Sequence, residues 1–277
     1  MNLENYEVAQ VAQGDGQSIV QLDAIEKANV DVQVATAKQF PRNLTRSIQN
    51  SIVMATMDVD TARTMGYALP RGGKPITGPS VHLAKLIVSN WGNIRAEAKV
   101  VQITDSQIVS RGTCWDLENN VATAIEVRRN IKGKNGQRFS DDMITVLGNA
   151  ANSIAYRNAV FSVIPKAITD KVYQAAQQFI TGDLSDETKL LQRRTQCLKF
   201  FLDEYGISEE EVVKLCGKQT INQIRGEEMA YLLSVYQALK DGDTTVEEVM
   251  QPIRKEEGKK KIAAVAADVA TKKEDKQ

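Results

Sequence analysis

Five cations fall within the stretch Arg128-Arg129-Asn130-Ile131-Lys132-Gly133-Lys134-Asn135-Gly136-Gln137-Arg138, with no acid among them. Runs of this kind bind phosphate backbones, because each cation displaces counterions condensed on the polyanion. The run leaves a predicted strand and enters a glycine-containing arm, so it can follow one nucleic-acid strand; the alternative is a solvated basic hairpin. A second candidate is Arg71-Gly72-Gly73-Lys74. Its glycines would let backbone N–H groups approach a phosphate between two cations, or it is a plain surface turn. It is not a nucleotide-binding P-loop. Lys74 is followed by Pro75 rather than Ser or Thr, the upstream glycine is missing, and the preceding segment reads as helix. Arg157 and Lys166 flank the end of a later helix that also carries Asn149, Asn152 and Asn158. Asparagine is a poor helix former, so these mark a polar face, either for binding or as a self-satisfied buried layer. Tyr67 and Phe139 sit in loops beside cations and are candidates for stacking on bases. Trp91 and Trp115 read as core.

Residues for catalysis are sparse. His82 is the only histidine, so a triad or a multi-histidine metal site would rest on it alone. Its helical spacing among apolar residues reads as packing or a surface contact. Asp141-Asp142 reads as the acidic first turn of a helix rather than a metal site. Cys114, Cys197 and Cys216 form no CxxC pair and read as buried or half-buried thiols. No catalytic residue, metal or cofactor is expected.

The 277 residues carry 35 basic and 35 acidic side chains, but unevenly. Residues 1–59 hold 4 basic and 7 acidic, residues 60–175 hold 15 and 9, and residues 176–277 hold 16 and 19. A basic middle between acidic ends fits a polyanion-binding core with partner-facing ends. Ordinary fluctuation also produces an excess of this size, so charge alone does not decide. The apolar runs are too short to span a bilayer, and the N-terminus carries acids and glutamines rather than a signal, so a cytoplasmic location without membrane attachment is expected. Aromatic residues make up only 5%, which argues for binding dominated by the phosphate backbone.

The elements that would position these residues follow from periodicity. Residues 1–40 read as a loosely ordered arm with a short helix around Ser18–Val34. Helices are predicted over Pro41–Met57, Val59–Met65 and Pro79–Trp91, with a loop over Gly66–Gly78. Three strands, Ile94–Thr104, Gln107–Asp116 and Val121–Asn130, are joined by short polar turns and so form an antiparallel meander. A helix from Ser140 to Val163, closed by Pro165, and another over Lys166–Ile180 complete an α+β core spanning 41–180. Thr181–Asp186 reads as a linker to a small all-α domain over 187–250, with a capping box at Ser208–Glu211. Residues 251–277 read as a charged tail.

The middle of the chain also resembles a known family. The motifs Gly66-Tyr-Ala-Leu-Pro-Arg-Gly-Gly-Lys74, Gly78-Pro-Ser-Val-His-Leu-Ala84, Asn90-Trp-Gly-Asn-Ile94, Trp115-Asp-Leu-Glu-Asn-Asn120, and Asn149-Ala-Ala-Asn-Ser-Ile-Ala-Tyr-Arg-Asn-Ala-Val160 with Val163-Ile-Pro165, occur in this order. The string is similar to phage single-strand annealing proteins of the RecT/Redβ/Erf superfamily over about residues 55–180. The ending around Tyr236–Glu248 resembles their small helical C-terminal domains. The resemblance implies a sheet-plus-helix core and a ring or helical filament of protomers. It also implies binding of single-stranded DNA and of the annealing duplex in a bacterial host, without nucleotide hydrolysis. A phage exonuclease or a host single-strand-binding protein would be a partner through the C-terminal domain. It implies DNA contact at Arg71–Lys74, Arg128, Arg129 and Arg157. Two other readings stay open: a structural or DNA-packaging protein without annealing activity, and a nuclease using Asp141, Asp142 and a further carboxylate.

Overall fold

Val, Ile and Thr at alternating positions give three ten-residue strands, β3 (Ile94–Ile103), β4 (Gln107–Asp116) and β5 (Val121–Asn130), which pair antiparallel in the order β3-β4-β5. The register sets Lys99 against Arg111, Arg111 against Glu126, and Val109 against Arg128, with a bulge between Val100 and Gln102. In this computed structural model residues 24, 25, 27–70, 76–133, 135–183 and 185–254 are described. The fold is α+β.

One face of the meander is covered by α5 (Asp141–Val163). Ser140 caps this helix, its hydroxyl accepting from the Met143 N–H, and Asp141 and Asp142 occupy the first turn, where carboxylates favour the positive end of the helix dipole. Small residues let α5 approach closely: Gly148, Ala151, Ala155 and Ala159 are buried. A Cβ at Gly112 of β4 would lie 2.1 Å from the Ala155 carbonyl oxygen, so only glycine fits.

Helices α2 (Leu44–Ala55), α3 (Val59–Thr64) and α4 (Val81–Trp91) precede the sheet, after helical residues 27–39 that form α1. The helix predicted from Pro41 starts three residues later, because Asn43 supplies the capping oxygen to Arg46 N–H. The stretch expected to be a loop is a β-hairpin. β1 (Gly66–Leu69) pairs with β2 (Ile76–Pro79), with Tyr67 lying against Gly78. Gly66, Gly78 and Pro79, which signalled a loop, are themselves paired residues of the two strands. Arg71 and Lys74 lie outside the described residues.

Helix α6 (Lys166–Asp183) runs three residues into the expected linker Thr181–Asp186 and ends there. Then come α7 (Glu187–Tyr205), α8 (Glu209–Leu215), with the capping box formed between Ser208 and Glu211, α9 (Gly226–Lys240), and α10 over 246–254. This all-α region shares its core with the first half. One continuous apolar cluster includes Ala62, Leu83, Ile87, Trp91, Val160, Val172 and Ile180 together with Phe201, Ile207, Met229, Leu232 and Val235. Helix α9 is buried along most of its length, from Met229 to Leu239, and packs on β1, α3 and α6. Within this interior the thiols of Cys114, Cys197 and Cys216 are free and pushed by burial up to about 12. No helix among the described residues is long and apolar enough to cross a membrane.

Gly112→Ala is expected to cost about 1–3 kcal/mol in urea denaturation, because the added methyl forces α5 off the sheet. Gly182→Ala, with open space around its Cβ position in a helix, should be neutral or slightly stabilising. Truncation after Ile180 removes half of the shared core, so the shortened chain should be insoluble or unfolded by circular dichroism.

Candidate nucleic-acid interface

Alternation along the strands sorts every side chain of the meander onto one of two faces. The α5 side takes Ala96, Ala98 and Val100 of β3, Ile108, Ser110, Gly112, Cys114 and Asp116 of β4, and Ile125 and Val127 of β5. The opposite face is open. Its cross-strand rows, read from the register, are Arg95–Trp115–Ala122, Glu97–Thr113–Ala124, Lys99–Arg111–Glu126, Gln102–Val109–Arg128 and Gln107–Asn130. Four cations and two acids therefore share one surface. Lys99 and Arg111 lie side by side on β3 and β4, and Arg128 is one row further along on β5, with neighbouring strands about 4.8 Å apart.

The acids neutralise only part of this charge. Glu126 pairs with Arg111 at 2.7 Å, and Glu97 lies 3.9 Å from Arg95. Lys99 and Arg128 are exposed and make no ion pair among the described residues. Beyond Asn130 the chain continues into a small hairpin in which Lys132 bridges directly to Arg138, and Ile131, at the root, is fully buried. The Ile131 N–H donates to the Ser106 carbonyl and the Phe139 N–H to the Ile131 carbonyl, so the hairpin is anchored as an extension of β5. Lys132 and Arg138 are exposed and unpaired among the described residues. Lys134 lies outside the described residues. Phe139 is 37% exposed, with its ring beside Gly133.

The other expected contacts are turned away. Arg129, one residue from Arg128, points to the α5 side, where its guanidinium donates to the carbonyls of Gly242 and Asp243 at 3.1 and 2.9 Å. Arg157 is 9% exposed. It donates to Asp243 Oδ2 at 3.1 Å and stacks on the Tyr67 ring at 4.3 Å. Burial holds the Asp243 carboxyl above the ordinary carboxylate range, against the pull of Arg157. Arg129, Arg157 and Tyr67 thus fasten the turn after α9 to the core. His82 joins the same region, with Nε2 3.1 Å from Asp241 Oδ1 and Gln237 bridging both groups. Lys166 is exposed at the start of α6 and pairs with Asp170 at 2.6 Å. Asn149 is exposed on α5, while Asn152 and Asn158 are half-buried.

Arg95, Lys99 and Arg111 were missed as candidates. The signal for them was the period of two: Arg95, Glu97 and Lys99 on one strand, and Arg111, Thr113 and Trp115 on the next, share a face once the meander is recognised. Trp115, expected in the core, is half-exposed on this face, while Trp91 is buried at 5%. Among the described residues no three His, Cys, Asp or Glu side chains form a set that could hold a metal ion. Compared with known protein families, curated proteins and solved structures, the chain matches none.

The two neighbouring arginines of β5 should separate cleanly on substitution. Arg128→Ala is expected to leave the melting temperature unchanged, since an exposed, unpaired cation contributes little to the fold. Arg129→Ala should cost about 1–3 kcal/mol, because two carbonyls lose charged donors. Arg157→Ala should be the most damaging, at about 3–5 kcal/mol, since it leaves the Asp243 carboxylate buried without its partner. Thermal melts of the three variants test this order.

Proposed function

We propose that the chain is a single-stranded-DNA-binding protein that anneals complementary strands without nucleotide hydrolysis, and that the open face of the meander and its hairpin carry the strand. What carries the reading is the gathering of Lys99, Arg111, Arg128, Lys132 and Arg138 on one uncovered surface, four of them without an ion-pair partner among the described residues. The ordered motifs that resemble those of phage annealing proteins point the same way.

The mechanism is electrostatic. Complementary strands repel through their phosphates, and a cationic face lowers that repulsion by replacing counterions. Contacts to the backbone fix the strand without reading its sequence, so base edges stay free for a second strand. Pairing then supplies both specificity and free energy. Both sheet edges, β3 and β5, are unpaired among the described residues, so protomers set side by side in a ring or filament would make the face continuous. Exposed acids of the C-terminal helices would serve a protein partner, such as a nuclease or a host single-strand-binding protein, rather than DNA.

Mixing complementary oligonucleotides with the protein, with and without Mg²⁺, tests the reading. Faster duplex formation independent of Mg²⁺ and nucleotide is expected. No effect on pairing would leave a structural or packaging role, and degradation would indicate a nuclease. Affinity for single strands should fall with salt with a log–log slope of about −0.7 per phosphate neutralised. The triple variant Arg128→Ala, Lys132→Ala, Arg138→Ala should bind more weakly and with a shallower slope. A slope equal to that of the parent would remove these residues from the strand path.

A further inference from the structure

We propose that Trp115 is a base-stacking residue that gives the open sheet face its preference for single-stranded over double-stranded nucleic acid; this rests on the reading of that face as a nucleic-acid interface. Cations alone do not supply such a preference, because single strands and duplexes both present phosphates. An aromatic ring does. Unpaired bases have free π-faces, whereas those of a duplex are already stacked on each other.

The geometry singles out Trp115. It occupies the same face as Lys99, Arg111 and Arg128, at the opposite end of the sheet from the hairpin. Its neighbours in β4, Cys114 and Asp116, are buried on the α5 side, while Trp115 itself is half-exposed. On β5 the residue directly opposite is Ala122, and the next on that face is Ala124. Neither side chain is long enough to cover an indole. The ring is also held in place: Nε1–H donates to Asn120 Oδ1 at 3.3 Å, in the turn that joins β4 to β5. A stacking surface that is already fixed loses little freedom when a base settles on it. Directly opposite on β3 lies Arg95, its side chain 36% exposed and in a long ion pair with Glu97 at 3.9 Å; an exposed pair of this length contributes little, so a phosphate can compete for the guanidinium. A ring and a cation in adjacent strands form a subsite for one unpaired nucleotide, the base on Trp115 and the phosphate on Arg95. Trp91 offers no such surface, being buried beneath the Arg42 guanidinium, which lies 4.7 Å from its ring.

The chain has two tryptophans, which makes the test direct. Trp91→Phe removes the buried one without sacrificing a hydrogen bond among the described residues, where its indole N–H has no partner. Fluorescence of the W91F protein then reports Trp115 alone; the unmodified protein gives the same test at lower amplitude. The protein is titrated with end-labelled oligothymidylate and, separately, with a hairpin duplex of equal charge, following anisotropy and tryptophan emission together. Oligothymidylate is expected to quench the emission along the same curve as the anisotropy, and the duplex to bind without quenching. Trp115→Ala should lose on the order of 10-fold in affinity for the single strand and Trp115→Phe less than about threefold, with duplex affinity unchanged in both. Binding of oligothymidylate without quenching, or an equal loss for single strand and duplex in Trp115→Ala, overturns the stacking role and leaves the cationic face standing. Absence of any binding by anisotropy removes the interface itself, and the stacking role with it. Should Trp115→Ala fail to fold, the emission of the W91F protein decides.

Discussion

The backbone of α5 lies so close to β4 at Gly112 that no side chain fits between Gly112 and the Ala155 carbonyl. This contact decides which face of the meander is covered. Small residues at Gly148, Ala151, Ala155 and Ala159 bring the helix down along its length. Ile108, Ile131 and Ile144 then close a second apolar cluster at the far end, with Val100 and Leu147 packed against it. Because side chains alternate, sealing one face commits the residues between to the other. Arg128 and Arg129 are adjacent in sequence yet belong to different environments for this reason alone. One is held in solvent and the other against the turn after α9.

The buried polar system on the covered side has its own logic. Arg157 and Arg129 converge on a short turn that offers the Asp243 carboxylate and two carbonyls, while His82 and Gln237 meet Asp241 beside it. Ion pairs of this burial add little net stability over apolar packing, yet breaking one costs several kcal/mol. They tie the turn after α9 to β5, α5 and α4. The acidic excess of the last third of the chain, read from the sequence as partner-facing, is thus partly answered within the molecule. At the entrance to α2, Arg42 does similar work. It pairs with buried Asp116, donates to Glu118 at 3.0 Å and lies over Trp91, tying the first helices to the β4–β5 turn.

How far the sequence could be read depended on the range of the interactions involved. The ends of β4, β5 and α5 were legible to the residue, because turn formers and the Ser140 cap act within a few positions. The hairpin of Gly66–Leu69 with Ile76–Pro79 was not, since its strands are short and held by packing against α9, which lies about 150 residues on. Arg157 looked like a binding residue because an arginine among asparagines marks polarity. What the sequence cannot state is that its partner is Asp243, 86 positions away. Trp115 looked like core for the converse reason. Its burial depends on what stands opposite, and the alanines at 122 and 124 leave it partly uncovered. Arg95, Lys99 and Arg111 were within reach of the sequence, because the strands were recognised and the period of two needed only to be applied to the charged positions.

A net charge of zero is compatible with a strand-annealing role once distance is considered. Screening limits an exposed charge to a neighbourhood of about 8–10 Å at ordinary ionic strength, so a bound strand responds to the local face and not to the total. Acids elsewhere on the surface act over the same short range and would oppose contact of a duplex outside that face. On the proposed reading this has a kinetic consequence. A protein that brings two strands together must release what they become, and a uniformly cationic molecule would retain the duplex, which carries twice the charge per base step. On that reading, gathering Lys99, Arg128, Lys132 and Arg138 without ion-pair partners among the described residues on one sheet face and its hairpin would let a strand bind along a line, and pairing rather than protein contact would draw the second strand in.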